Sequence, residues 1–169
     1  MSKKPLIIST DPGIDDVAAM TISFFADELD VKMIVPTWGN VSLEHTLQNT
    51  LDLENFLHTK VPVVKGANQP LVRPAISAAS VHGETGLAGF EFEKASDELL
   101  EPGLAATKMY EAIKNSPEKV TLLGVGPLTD FALLFKQYPD VVENIAEVYI
   151  MGGNIGHGNH SPFAEYNIA

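Results

Sequence analysis

Leu6-Ile7-Ile8-Ser9-Thr10-Asp11-Pro12-Gly13-Ile14-Asp15-Asp16 carries a short apolar run directly into three carboxylates. Leu6 to Ser9 reads as a buried strand and Pro12-Gly13 as a tight turn. Asp16 to about Phe25 reads as the next helix, opened by Val17, Ala18, Ala19, Met20 and Ile22. A strand-to-helix turn is where an open α/β sheet presents its ligands. Carboxylates crowded there repel one another, so they need positive charge among them: a cation, a helix N-terminus, or both. Such a set of oxygen donors suits a hard ion, calcium or magnesium.

The same alternation continues outward. Strands are expected at Val31 to Thr37, Val61 to Val64, Val120 to Val125 and Val148 to Met151. Between them, Ser42 reads as an N-cap for a helix carrying Leu43, Leu47, Leu51, Leu53, Phe56 and Leu57 at spacings of three and four. Ala105, Met109, Ala112 and Ile113 mark another helix, and Leu128 to Phe135 one more. The predicted fold is α/β: an open, mostly parallel sheet with helices on both faces. The stretch from Gly66 to Pro102 is long for a loop, and its His82-Gly83-Glu84-Thr85-Gly86 places it near a site. Polar and glycine clusters fall after strands at Asp11 to Asp16, Gly39-Asn40, Gly124 to Asp130 and Gly152 to Asn154. In a parallel sheet those ends share one edge and line one crevice.

Composition narrows the function classes. The 169 residues are the size of one domain, and 45% of them are apolar. A net charge of −11 argues against binding nucleic-acid phosphates. With no cysteine, disulfides and thiolate metal sites are excluded, which fits a cytoplasmic home. Lys3-Lys4 and the short run after them do not form a signal peptide, and no apolar stretch reaches membrane-spanning length, so no membrane partner is expected.

Each motif has a competing reading. An EF-hand loop needs glycine and glutamate where Asp16 and Ile22 stand. An aspartate-nucleophile phosphatase prefers a second acid where Gly13 stands, which disfavours metal-assisted phosphoryl transfer. A purely structural role for Asp15 or Asp16 is to cap the helix. Gly124-Val125-Gly126-Pro127 lacks the third glycine of a dinucleotide loop, and Pro127 suits the first turn of a helix. His82, His157 and His160 lack further soft ligands for zinc and read as loop residues. Glu165-Tyr166-Asn167 is either a solvated loop or, beside the other clusters, a polyol-binding wall.

Taken in order, these pieces resemble the nucleoside hydrolases, or nucleoside N-ribohydrolases. The resemblance rests on DPGIDD after the first strand, Gly39-Asn40, Val81-His82-Gly83-Glu84-Thr85-Gly86 and Gly126-Pro127-Leu128-Thr129. Met151-Gly152-Gly153-Asn154 and Ala164-Glu165-Tyr166-Asn167 complete it. Ala79 to Glu84 is similar to the branch of broad ribonucleoside specificity. The resemblance implies a Rossmann-like core that binds Ca2+ at the carboxyl ends of its strands. It also implies hydrolysis of the N-glycosidic bond of purine and pyrimidine ribonucleosides to ribose and free base, in nucleoside salvage.

By position, the resemblance makes Asp11 a calcium ligand and the general base, Asp16 a second ligand, and Val125 a ligand through its carbonyl. Asp15 and Asn40 would hold ribose hydroxyls. Met151, Asn159, Glu165 and Asn167 would line the ribose pocket, with His82 near the leaving base. A homodimer or homotetramer acting on small-molecule ribonucleosides is implied. The family is also considerably longer than this chain. Its further part brings another aspartate ligand and a histidine that assists the leaving base. One reading is therefore a single hydrolase domain over residues 1–169, truncated at its C-terminus. The other is a calcium- and ribose-binding domain without turnover.

Overall fold

Residues 2–168 are described by a computed structural model; Met1 and Ala169, the two ends of the expected domain, lie outside the described residues. Strands β1 (Lys4–Thr10), β2 (Leu29–Pro36), β3 (Val63–Val64), β4 (Leu100–Glu101), β5 (Val120–Gly124) and β6 (Ile145–Ile150) form one sheet. Their order is β4-β3-β2-β1-β5-β6, and every pairing is parallel. Helices α1 (Ile14–Phe25), α2 (Leu43–Leu57), α3 (Ala79–His82), α4 (Ala105–Lys114) and α5 (Thr129–Gln137) join them.

The pleat sends alternate residues to opposite faces. Met33 and Val35 pack with Ile7 and Leu122 against Met109 and Ile113 of α4 and Phe131 and Leu134 of α5. Ile34, between them, points the other way, to Met20 of α1 and Leu53 of α2. Both faces are thus covered, which is why β1 reads as an unbroken apolar run.

From β1 the chain steps outward through β2, β3 and β4, then returns to the far side of β1 for β5 and β6. The direction of winding reverses between β1 and β5, the topological switch point at which such sheets open a crevice. Hydrogen bonds continue just past the strand ends there. Thr37 N–H donates to Thr10 O (2.8 Å), Val125 N–H to Ser9 O (2.9 Å) and Met151 N–H to Gly124 O (2.8 Å). Asp11, Val125 and Met151 are therefore held level along one edge.

Several expectations shift. The third strand is only Val63–Val64, and the last begins at Ile145 and ends before Met151. The stretch expected to be irregular holds α3 and β4, both too short to show a periodicity. Ser42 occupies the N-cap position of α2, but its hydroxyl makes no capping bond.

Candidate active site

The turn after β1 is built by its own acids. Asp16 accepts from Thr10 Oγ1 (2.6 Å) and from Gly13 N–H (3.1 Å), and so closes the first turn of α1. The capping role weighed against a ligand role is thus real for Asp16, and it fixes the carboxylate facing the crevice. Asp11 is held from the end of β2. Asn40 N–H donates to Asp11 Oδ2 (2.7 Å), and the Asn40 amide donates to Asp11 O (2.9 Å) and Asp16 Oδ2 (3.5 Å). Gly39 and Gly126 press on the Asp11 carboxylate from two sides, where a β-carbon would collide with it.

Asp11, Asp16, Asn40 and Glu165 are buried, whereas Asp15 is exposed at the rim. Burial, then the neighbouring Asp16 carboxylate, pushes the Asp11 carboxyl up to about 9, against the lowering pull of the Asn40 amide. Burial also pushes Asp16 up, opposed by the Thr10 hydroxyl and the Gly13 amide. Two acids crowded in low dielectric hold a proton for lack of positive charge, and a cation placed between them reverses that preference.

All ten residues singled out from the sequence line one cavity of about 480 Å3 at this edge. Asp11, Asp16 and Asn40 form its floor and Asp15 its rim, with Val125 and Met151 following β5 and β6. Asn159, Glu165 and Asn167 come from the segment after β6, and His82 from the end of α3. Asn167 Nδ2 donates to Val125 O (2.8 Å) and Met151 O (3.1 Å), which ties the segment across the strand ends. Glu165 Oε2 accepts the Asn167 N–H (3.0 Å), while its buried Oε1 has no partner. The His82 Nδ1 is likewise buried and unpaired. Asn159 Oδ1 accepts the Tyr166 N–H (2.8 Å), so this side chain also braces its own loop.

The donor set suits a hard ion by chemistry: two buried carboxylates and the Val125 carbonyl, all oxygen. It falls short of the six to eight oxygens calcium takes. Among the described residues no group of three or more His, Cys, Asp or Glu side chains is arranged to hold a metal. The zinc alternative gains nothing: His160 lines the cavity beside Tyr166, and His157 does not line it.

The sequence placed Tyr166 in a polyol-binding wall without a role of its own, and Asn49 was missed. Tyr166 lines the cavity, and its hydroxyl donates to Ile76 O at 2.6 Å. The Asn49 amide, inside α2, donates to Pro12 O (3.2 Å) and Thr85 O (2.8 Å), joining the acidic turn to the His82 loop. Asn49 sits among other buried polar residues of α2, Thr46, Thr50 and Asp52, so no contrast with its neighbours marked it.

The sequence profile of the inosine-uridine preferring nucleoside hydrolases matches residues 6–169. The non-specific ribonucleoside hydrolase RihC of Klebsiella pneumoniae subsp. pneumoniae is 48% identical over 166 residues, covering 98% of this chain and 54% of that protein. RihC of Escherichia fergusonii is 45% identical with the same coverage. Among solved structures, a purine-preferring ribonucleoside hydrolase from Gardnerella vaginalis superposes with a TM-score of 0.90 at 27% identity, over 97% of this chain and 54% of that one. The plant nucleoside hydrolase PpNRh1 also gives 0.90, at 30% identity, over 97% of this chain and 52% of that one. The chain spans about half the length of the curated relatives it matches. By profile, identity and shared fold, it belongs to the inosine-uridine preferring nucleoside hydrolase family.

Proposed function

We propose that this chain carries the ribose- and cation-binding part of a calcium-dependent ribonucleoside hydrolase that cleaves purine and pyrimidine ribonucleosides to ribose and free base. The observation that carries the proposal is the single cavity lined by Asp11, Asp16, Val125, Glu165 and Asn167 at the switch point of the sheet. RihC proteins are named as non-specific ribonucleoside hydrolases, which favours the broad substrate class.

Calcium, held by Asp11, Asp16 and the Val125 carbonyl, would lower the pKa of a water and template the ribose diol. Water and ribose hydroxyls would supply further oxygens. Asp15 and the Asn40 amide hold ribose hydroxyls, and Met151, Asn159, Glu165 and Asn167 enclose the sugar. As the C1′–N bond breaks, positive charge grows on the ribose, and the buried acids stabilise it. The water oxygen bonds to C1′ and its proton passes to Asp11. Oδ2 of that carboxylate is engaged by the Asn40 amide, so Oδ1 is the accepting atom. The departing base takes the electron pair of the broken bond, beside His82. We place the reaction in cytoplasmic nucleoside salvage by a homodimer or homotetramer.

A second reading, calcium and ribose binding without turnover, is favoured by the lack of a third acidic ligand among the described residues. Ribose release from inosine and uridine, with and without a chelator, separates the two. Chelator-sensitive release supports the hydrolase. Calcium-dependent ribose binding without release supports the binding domain.

A further inference from the structure

Residues 76–85 form the wall of the cavity that carries His82, and they are fastened at three places. At one end the buried Asn49 amide donates to Thr85 O at 2.8 Å from inside α2. Just after Ile76, Ser77 Oγ and Ala78 N–H donate to Asn40 O at 3.2 and 2.9 Å. At the other end the half-buried Tyr166 hydroxyl donates to Ile76 O at 2.6 Å, with Gly39 O at 3.4 Å. The first two fastenings come from the elements beneath the wall. The third reaches it from the turn after β6, where Glu165 and Asn167 flank Tyr166. One short turn therefore presents two cavity side chains and, between them, a phenol that holds the opposite wall.

The wall stands close to the floor. A β-carbon on Gly13 would lie 2.7 Å from His82 Nδ1, so the imidazole rests on the acidic turn itself. A small displacement of residues 76–82 changes the gap between His82 and Asp16 directly. Burial, then the Asp11 charge, pushes the Tyr166 phenol up to about 12, so it stays a donor throughout the working range of pH.

We propose that Tyr166 is a positioning residue: by fastening Ile76 it fixes the His82-bearing wall over the Asp11–Asp16 floor, and so sets the space open to the leaving base. The proposal rests on the nucleoside-hydrolase reading above. The protein contains its own reporter, because Trp38, the single tryptophan, lines a cleft with Ile76, His160 and Tyr166.

The test is Tyr166→Phe, which keeps the ring beside His160 and removes only the donor. Hydrogen exchange is followed at Ala78, whose amide is bonded to Asn40 O, and at Val81 and His82, whose amides are bonded within the wall, with Leu122 of β5 as the fold control. Losing a hydrogen bond of about 1 kcal/mol should speed exchange in the wall roughly fivefold. Leu122 should be unchanged, and acrylamide should quench Trp38 more strongly. With inosine and uridine, KM should rise about fivefold while kcat stays within about twofold, the mark of lost binding rather than lost chemistry. Wild-type exchange and quenching in the variant would overturn the proposal. So would faster exchange with KM unchanged. No turnover by the unmodified chain would instead overturn the hydrolase reading, and exchange with Trp38 quenching would then judge Tyr166 alone.

Discussion

The Asn40 backbone N–H donates to Asp11 Oδ2 at 2.7 Å, joining the ends of two strands across 29 residues of sequence. The bond holds one carboxylate oxygen, and the other lies on the Gly126 side. Asn40 returns its side chain to Asp11 O and Asp16, so one residue ties the proposed base to the proposed second ligand.

Asn40→Ala keeps the backbone donor and removes the amide. The acidic turn loses its cross-strand tie, which should lower stability by about 1–2 kcal/mol. If the residue holds a ribose hydroxyl as proposed, kcat/KM should also fall at least about tenfold. Thermal unfolding and ribose release measure the two effects separately.

Asp11→Asn conserves shape and removes the proposed base. Turnover should drop by roughly 10²–10⁴ if Asp11 takes the proton of water. The metal-free variant should be at least as stable as wild type, because a buried like-charge neighbour of Asp16 is gone. Substantial remaining activity would remove Asp11 as the base.

Calcium should stabilise the folded chain. At about a hundred times the dissociation constant the gain is about 2.7 kcal/mol, seen as a rise in Tm that a chelator reverses. Asp16→Ala should abolish this rise. It should also lower the metal-free Tm, because Asp16 accepts from Thr10 and Gly13. No calcium-dependent shift in the unmodified chain would count against the site.

The β6 edge should drive self-association. Val148, Tyr149, Ile150 and Met151 are 44%, 54%, 50% and 46% exposed, so both faces of a terminal strand are bare. An apolar edge with an unpaired backbone invites further strand pairing. Sedimentation should show mass rising with concentration, and Val148→Lys with Ile150→Lys should suppress it. A monodisperse monomer in the unmodified chain would refute this.

Glu54 gives a pH signature remote from the cavity. It is fully buried on α2, with Oε2 accepting from Val61 N–H (2.9 Å) and Thr59 Oγ1 (3.2 Å) and Oε1 unpaired. Burial pushes its carboxyl from 4.5 up to about 7. Between those values the folded state keeps a proton that the unfolded chain has lost. The contribution to stability is therefore full below pH 4.5 and falls as pH rises to about 7. Glu54→Gln should flatten that fall and exceed wild type by about 1 kcal/mol at pH 8, read by denaturant unfolding.

The fold was legible because strands covered on both faces leave continuous apolar runs, and helices between them leave periods of three and four. The two-residue strands β3 and β4 escaped in whole or part, since neither is long enough to show alternation. The extent of β6 escaped for another reason. The half missed, Ile145-Ala146-Glu147, holds a single large apolar residue followed by a charge, so it shows no apolar run.

The sequence by itself determined that carboxylates follow the first strand, that glycine and amide clusters follow the others, and that the chain resembles a nucleoside hydrolase. Residue type and chain order carry all of that, because strand ends and turn chemistry are local. Only the tertiary structure decided that β5 returns beside β1, which brings Val125 level with Asp11. It also decided that Tyr166 reaches a carbonyl 90 residues away and Asn49 one 36 residues away. Backbone carbonyls are alike at every position, so no side-chain pattern marks which one a distant donor will find. Packing selects it by placing the two within reach.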